Sequence, residues 1–434
     1  MAVPEGSTAE VRTPKRALAV VIGIVFVDLL GFGVVIPILP YYVRSFAVSD
    51  AVIGLLAASY SLLQFVAAPT LGRLSDERGR RPVILLSLVG SVMAWTVFGI
   101  AGEVAAVAGT VAGLATLFAS RMLAGAMGGN IAAANAYVAD VTTEERRAGA
   151  LGLLGASFSL GFIFGPALGG LAASDAVVAA ADAVLPGFVP TTQYSLPSFL
   201  AAGLSLLALV LAGRFLEEPD RRRDVRERTS LLDSFREALA DPSLRGLVIA
   251  FFLVSVAFSG VQVMFIPFAA DIYGYDATQV ALFLSYIGLL GALNQGILVG
   301  RLSRVVPPAR LAVVGAALLA AALAMLPFSP ELGRLLLPWV DGVSPELAWL
   351  LVAGAVLSLG NGLLGVSLST LVSTGASDDR QGSAFGVTQG AGSLGRTVGP
   401  PLMGVLYVAT YWSPFVVGAV VVLPVLGLLA DRLR

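Results

Sequence analysis

The sequence predicts an all-α membrane protein of twelve spanning helices, arranged as two pseudo-symmetric six-helix bundles. Three observations predict it. The 434 residues are 57% hydrophobic and 13% charged, with a mean hydropathy of +0.88, more apolar than a soluble domain. Apolar runs long enough to cross about 30 Å of hydrocarbon recur twelve times. A glycine-proline string, GFIFGPALGG at 161–170, returns as GRTVGPPLMG at 395–404. The runs are helices because backbone groups in lipid must be satisfied within the segment and strand-type alternation is missing.

Taken in order, residues 1–16 read as a cytoplasmic tail, disordered over 1–13. The first span, 17–40, starts after Lys15 and Arg16 without a small-residue cleavage site, so it is a retained helix. The remaining spans of the first half (17–216) are 51–71, 83–101, 114–139, 148–172 and 198–216. Residues 102–113 are also apolar, so the boundary between the third and fourth spans can slide by a turn or more. Residues 217–246 form a charged linker containing Arg221, Arg222 and Arg223. Within it Leu231, Leu232, Phe235 and Leu239 share one helical face, with Ser230 as cap and Asp233 three residues on. Two readings stand, a helix on the inner membrane surface and a solvated linker. The second half, 247–430, has spans at 247–270, 278–299, 311–327, 347–372, 384–408 and 412–430, and 431–434 is a C-terminal tail.

Twenty-three of the 27 lysines and arginines fall in the tails and loops that are cytoplasmic if both termini are inside. Arg44 and Arg334 fall outside, and Arg121 and Arg396 lie within spans. Positive charge retained in cytoplasmic loops therefore places both termini in the cytoplasm and the protein in the cell membrane, its basic face toward an anionic inner leaflet. The net charge of −1 averages two faces and gives no sign of a nucleic-acid partner. There is no cysteine and no histidine, so neither thiol nor imidazole chemistry is available, no metal site is expected, and a titrating group in the membrane has to be a carboxylate.

Further repeats support duplication. Gly72-Arg73-Leu74-Ser75 returns as Gly300-Arg301-Leu302-Ser303, and Ser59-Tyr60 as Ser285-Tyr286. Gly161, Gly165, Pro166 and Gly170 return as Gly395, Gly399, Pro400 and Gly404. Offsets of 228, 226 and 234 fit one duplicated unit with small insertions. Two such halves imply a cavity between them.

DLLGFGVVIPILP at 28–40, GRLSDERGRR at 72–81, RMLAGAMGG at 121–129 with AYVAD at 136–140, and GFIFGPALGG at 161–170 give the chain, over essentially its whole length, a resemblance to the major facilitator superfamily, and within it to the twelve-span drug:proton antiporters that include tetracycline-efflux and multidrug exporters. DLLGFGVVIPILP, RMLAGAMGG and AYVAD resemble first- and fourth-span segments of that family. GRLSDERGRR resembles the superfamily's loop signature, and GFIFGPALGG its antiporter signature. The resemblance implies the major facilitator fold, proton-coupled efflux of small amphipathic compounds, tetracycline among the candidates, and no enzymatic activity. It also implies that Asp76 meets the N-terminal end of the eleventh helix as the halves rock.

The residues carry their own physics. Gly72 and Gly79 permit tight turns in a short loop, and Asp76, Arg78, Arg80 and Arg81 make an ion cluster that, with Asp140 at the end of the fourth span, either gates a conformation or forms a solvated basic loop. In the second copy Arg304 replaces the acid. Gly161, Gly165, Gly169 and Gly170 leave a stripe free of side chains, and Pro166 removes a helical hydrogen bond, so a bent, closely packed helix is expected where the halves meet.

Asp28 is the one acid deep in a span, where an unpaired carboxylate costs at least about 2.5–3.5 kcal/mol. At about 1.5 Å per residue, it lies roughly 18 Å from Arg16, and Arg121 roughly 28 Å from Asp140. Tilt and side-chain reach can join Asp28 to Arg121. Either the two form a static pair, or Asp28 alternates between an apolar and a cationic environment and so loads and releases a proton. Tyr60, Gln64, Asn135, Gln262, Asn294, Asn361, Gln389 and Arg396 are candidates for the cavity wall, each equally readable as interhelical glue. Arg396 stands where the repeat has Phe162; with Arg121 it sets two cations against one acid and favours an anionic or zwitterionic cargo.

The expected function is proton-coupled export by alternating access, with protonation of Asp28 competing with cargo. The proton is the coupling ion, no cofactor is needed, and small molecules, protons and the bilayer are the partners. One chain holds both halves, so a monomer suffices. The alternative is a facilitator or proton symporter for a metabolite anion. A membrane sensor or embedded enzyme is disfavoured by the missing histidine, cysteine, second deep acid and soluble domain.

Overall fold

The computed structural model describes residues 14–128, 130–219, 231–375 and 381–430. The tail before residue 14, the run Arg221 to Arg223, the Ser230 cap and the tail 431–434 lie outside them. The described residues are helical with no strand. Twelve long helices run α1 Pro14–Val35, α2 Ala51–Arg78, α3 Arg80–Gly99, α4 Thr110–Met127, α5 Glu144–Ala172 and α6 Ser195–Phe215, then α7 Pro242–Tyr273, α8 Ala277–Leu293, α9 Pro308–Met325, α10 Pro345–Gly375, α11 Gln381–Ala409 and α12 Ser413–Ala430. Among the described residues, eleven segments are long and apolar enough to span a membrane. The exception is α11, which has the length, 29 residues, but carries Gln, Ser, Thr and Arg side chains; it is packed between α2 and α7.

Three expected spans are interrupted. The first is not continuous over 17–40: α1 stops at Val35, and the helix resumes at Leu39–Ser45. Pro37 has no N–H to give and crowds the carbonyl of Gly33, so Ile36 and Ile38 close tight turns onto Gly33 and Val35 instead. The fourth span, expected as one helix over 114–139, is α4 followed by a separate helix Asn130–Val141. Gly128 at this break leaves room for Gln64, whose Nε2 would lie 2.9 Å from a Cβ there. The eighth passes from α8 into a π-helical turn at Asn294–Val299. The ambiguous stretch 102–113 is a helix, Ala101–Ala108, followed by a reversal at Gly109, φ +88°.

Within the first half α1 packs on α5 and α6; within the second α7 packs on α11 and α12. The halves meet where α2 lies on α11 and α5 on α8. Near Arg44 a single apolar core runs through both halves, joining Val43, Ile53 and Phe98 to Phe268, Val280 and Phe415. Toward Arg80 the first half has a core of its own, from Ala17 through Ile84 and Tyr137 to Leu216. The linker segment Leu231–Ala240 is helical, and its Phe235 ring lies 2.9 Å from where a Cβ on Gly390 of α11 would stand.

Candidate functional site

A cavity of about 480 Å³ lies between the halves. From α1 it receives Asp28, Phe32 and, just beyond the helix, Ile36, spaced four residues apart on one face. Tyr60 and Gln64 of α2, Trp95 of α3, Arg121 of α4, and Phe158 and Phe162 of α5 also line it from the first half. The second half contributes Gln262 of α7 and Arg396 of α11.

Arg121 is buried, with 6% of its surface exposed. Its guanidinium carbon lies 4.6 Å from the Tyr60 ring centroid, 5.6 Å from Trp95 and 5.8 Å from Phe32. The ring faces supply the negative potential that makes burial of the cation tolerable, while its Nε has no hydrogen-bond partner among the described residues. An Asp28–Arg121 salt bridge is not among the ion pairs of the described residues. Asp28 accepts a hydrogen bond from Ser205 Oγ at 3.2 Å. That contact depends on a close crossing: a Cβ on Gly31 would meet the Ala201 carbonyl oxygen at 3.0 Å. Tyr60 is within electrostatic reach of Asp28, Arg121 and Arg396 together, and Gln64 Nε2 donates to its hydroxyl at 3.3 Å.

Of the polar positions expected in the cavity, Tyr60, Gln64, Gln262 and Arg396 line it, and four do not reach it. Asn135 follows the break in the fourth span and donates to the Ile131 carbonyl one turn back, at 2.9 Å. Asn294 donates to Ser358 Oγ at 3.4 Å, between the eighth and tenth spans. Asn361 lines a separate groove with Gln295, Ser369 and Ser373. Gln389 is exposed, two helical turns from Arg396.

At the Arg80 end, Arg80 joins Asp76 at 2.5 Å and Asp140 at 2.9 Å, and also donates to Ser75 Oγ at 3.1 Å. Gly79 has φ +127°, and a Cβ there would lie 2.7 Å from Glu218. The Glu218 carboxylate accepts the backbone N–H groups of Arg80 and Arg81 at 2.8 and 2.9 Å, filling the N-terminus of α3. Arg81 Nη2 donates to the Gly213 carbonyl at 2.9 Å. Gly72, expected at a tight turn, lies inside α2, which continues to Arg78, with open space around it; the turn is made at Gly79 alone. These bonds hold the first half to itself. The expected meeting of Asp76 with the start of the eleventh helix falls on residues 376–380, outside the described ones.

A second ion cluster, at the opposite end, joins the two halves. Arg44 holds Asp271 of α7 at 2.7 and 2.8 Å and Asp50 at 2.8 Å, and Tyr407 of α11 donates to Asp271 at 2.7 Å. Nearby, Tyr41 donates to the Tyr275 carbonyl at 2.6 Å. Asp271 and Tyr407 were not foreseen; the one signal was Arg44, a rare cation on the arginine-poor face.

The glycine stripe is a backbone-to-backbone contact. A Cβ on Gly165 would lie 2.6 Å from the Gly33 Cα, one on Gly161 2.8 Å from the Leu29 Cβ, and one on Gly169 would overlap the Val34 carbonyl. Pro166 sits inside α5, and Gly170, one turn on, leaves α1 and faces α8, where Thr278 Oγ donates to its carbonyl at 3.0 Å.

A sequence model of the Major Facilitator Superfamily matches residues 21–400. The chain belongs to that superfamily. This superfamily protein is 30% identical over 402 residues to the class C tetracycline resistance protein of Escherichia coli, covering 91% of each chain. It is 27% identical to multidrug resistance protein 1 of Bacillus subtilis (strain 168), covering 92% of this chain and 91% of that one. A crystal structure of the human organic anion transporter MFSD10 (TETRAN) superposes with a TM-score of 0.64 at 26% identity, over 96% of this chain and 99% of the other. The superfamily member described here is a multi-pass membrane transporter of small molecules, not an enzyme.

Proposed function

We propose that this chain exports small amphipathic compounds across the cell membrane in exchange for protons, by alternating access, with both termini in the cytoplasm. The cavity carries the reading: among the described residues that line it, Asp28 is the one carboxylate, facing two arginines across an aromatic interior. A carboxylate in such a place changes its proton affinity as access to water and to cations changes. With the arginine-rich face inside, the Arg44–Asp271–Tyr407 latch closes the extracellular end, and the separate core of the first half lies at the cytoplasmic end where the halves part. Rocking about the α2–α11 and α5–α8 contacts then exchanges which end is closed. The similarity to tetracycline and multidrug resistance proteins supports export.

The test is proton flux in inside-out vesicles with an acidified lumen. Adding a cargo should release luminal protons, and Asp28→Asn should abolish that release; full gradient-driven export by Asp28→Asn would overturn the proposal. The excess of cation over acid in the cavity favours the second reading, a facilitator or proton symporter for a metabolite anion, and an acid-driven uptake in place of export would select it.

A further inference from the structure

Resting on the export reading, we infer that the cargo is an amphipathic organic anion whose carboxylate, or a like group, is received by Arg396 while its ring system lies among the cavity aromatics. The described cavity lining holds Asp28, Arg121 and Arg396, so with Asp28 ionised these residues sum to one positive charge. The two arginines differ in how they are held. Arg121 is enclosed by three rings, which stabilise its charge and fill the space an anion would need. Arg396 gives one hydrogen bond, from Nη2 to Ser393 Oγ at 3.0 Å, to a residue of its own helix. Among the described residues no carboxylate stands within ion-pair distance of it.

A half-buried guanidinium on the wall of a cavity lined by aromatic rings is a receptor for a carboxylate, which it can bind through two parallel hydrogen bonds. Burying the cation without a partner is costly, and an incoming anion removes that cost. The repeat sharpens the assignment. Phe162 occupies the matching position, 234 residues earlier, and lines the same cavity from the first half, where its ring meets Phe32 edge-on at 6.1 Å. One half therefore supplies the ring surface and the other the charge. A proton on Asp28 and an anion on Arg396 favour each other electrostatically, so exchange of the two requires that the doubly occupied carrier not reorient.

The test uses purified full-length protein and the probes 2-naphthoate, 2-naphthamide and ethidium, with binding read from quenching of tryptophan emission and export from inside-out vesicles. Naphthoate should bind at least ~10-fold tighter than the amide, as expected when a charged hydrogen bond is lost, and Arg396→Gln should bring the two within about 3-fold. Arg396→Lys, which keeps the charge but not the fork, should retain part of the preference. The wild-type comparison decides the matter even if Arg396→Gln does not fold. Equal binding of amide and naphthoate, an undiminished preference in Arg396→Gln, or export of ethidium but not naphthoate would overturn the inference and leave the export reading standing. Failure to export any of the three would count against both.

Discussion

Helices α5 and α11 are two copies of one device put to different uses. In both, a proline sits in the helix interior and glycines ahead of it admit a neighbouring helix: α1 against Gly161 and Gly165, α7 against Gly395 and Gly399. In both, the last glycine crosses to the opposite half, Gly170 to α8 and Gly404 to the start of α2. The backbone contacts have kept their symmetry, whereas the side chains facing the cavity have not, since Phe162 is matched by Arg396. Here the duplication keeps the close helix crossings within each half and varies what the halves hold.

The largest effect should come from filling the tighter copy. A Cβ on Gly165 would lie 2.6 Å from the Gly33 Cα and 2.9 Å from its carbonyl carbon, and neither backbone can retreat without moving a helix. Overpacking of this kind costs about 1–3 kcal/mol or more, so Gly165→Val should abolish export and lower the thermal midpoint of the purified protein. In α11 the counterpart, Gly399, faces the Ser259 side chain at 2.7 Å. Gly399→Ala should therefore be milder, and Ser259→Gly should restore part of the loss in the double variant. Equal, unrescued losses would show that the two contacts are alike in kind, both limited by backbone.

Next comes the charge that only the first half contributes. Asp28→Asn removes the acid while leaving Arg121 and Arg396, so anion binding should tighten by ~3- to 10-fold while pH-driven export falls at least ~100-fold, the first from loss of one like charge in a cavity of low dielectric. Isothermal titration and vesicle flux on the same preparation separate the two. Parallel loss of binding and export would place Asp28 in direct contact with the cargo instead.

The halves and spans were legible because lipid imposes one rule on every segment: long, apolar and helical. The breaks were not, because a proline or glycine pair in an apolar run ends a helix only when neighbours take up the freed backbone groups, as at Pro37 and Gly128. The cavity was partly legible. Tyr60 and Gln64 shared a face one turn apart, and Arg121 and Asp28 stood out as charges in hydrocarbon. Asn294 and Asn361 obey the same composition rule, yet Asn294 bonds Ser358 of α10 and Asn361 lines a separate groove, a distinction that depends on helix rotation. The aromatic enclosure of Arg121 was missed for a similar reason: Phe32, Tyr60 and Trp95 come from three helices with no common spacing.

The two ends of the molecule give a second contrast, since Arg44 binds across the halves and Arg80 within one. Breaking the latch with Asp271→Asn should favour opening at the Arg44 end. The chain has no cysteine, so Ser61→Cys, on the cavity wall, gives a single reporter. Its modification by an impermeant maleimide from that side should quicken by ~3- to 10-fold, the range for a charge-assisted network that is partly exposed. Arg44→Ala should add little to Asp271→Asn, because the two share one interaction; additive effects would mean that Arg44 acts chiefly through Asp50.

The smallest effect belongs to the Arg80 end, where Glu218 sits at the N-terminus of α3 and accepts two backbone N–H groups. A carboxylate there is worth about 0.3–1 kcal/mol, reduced by salt because the contact is exposed. Glu218→Gln keeps the shape and one acceptor, and should lower the thermal midpoint slightly at low salt and less at high salt. Gly79→Ala should be worse, for φ +127° is a strained conformation for any side chain and the new Cβ would push Glu218 out of its place. If Glu218→Gln also sped maleimide labelling from the Arg80 side, the cap would be reaching beyond α3 to the contact between the halves. The two bonds described here run to first-half N–H groups, and a loss of that scale, a few tenths of a kcal/mol, should keep labelling within about 2-fold of wild type.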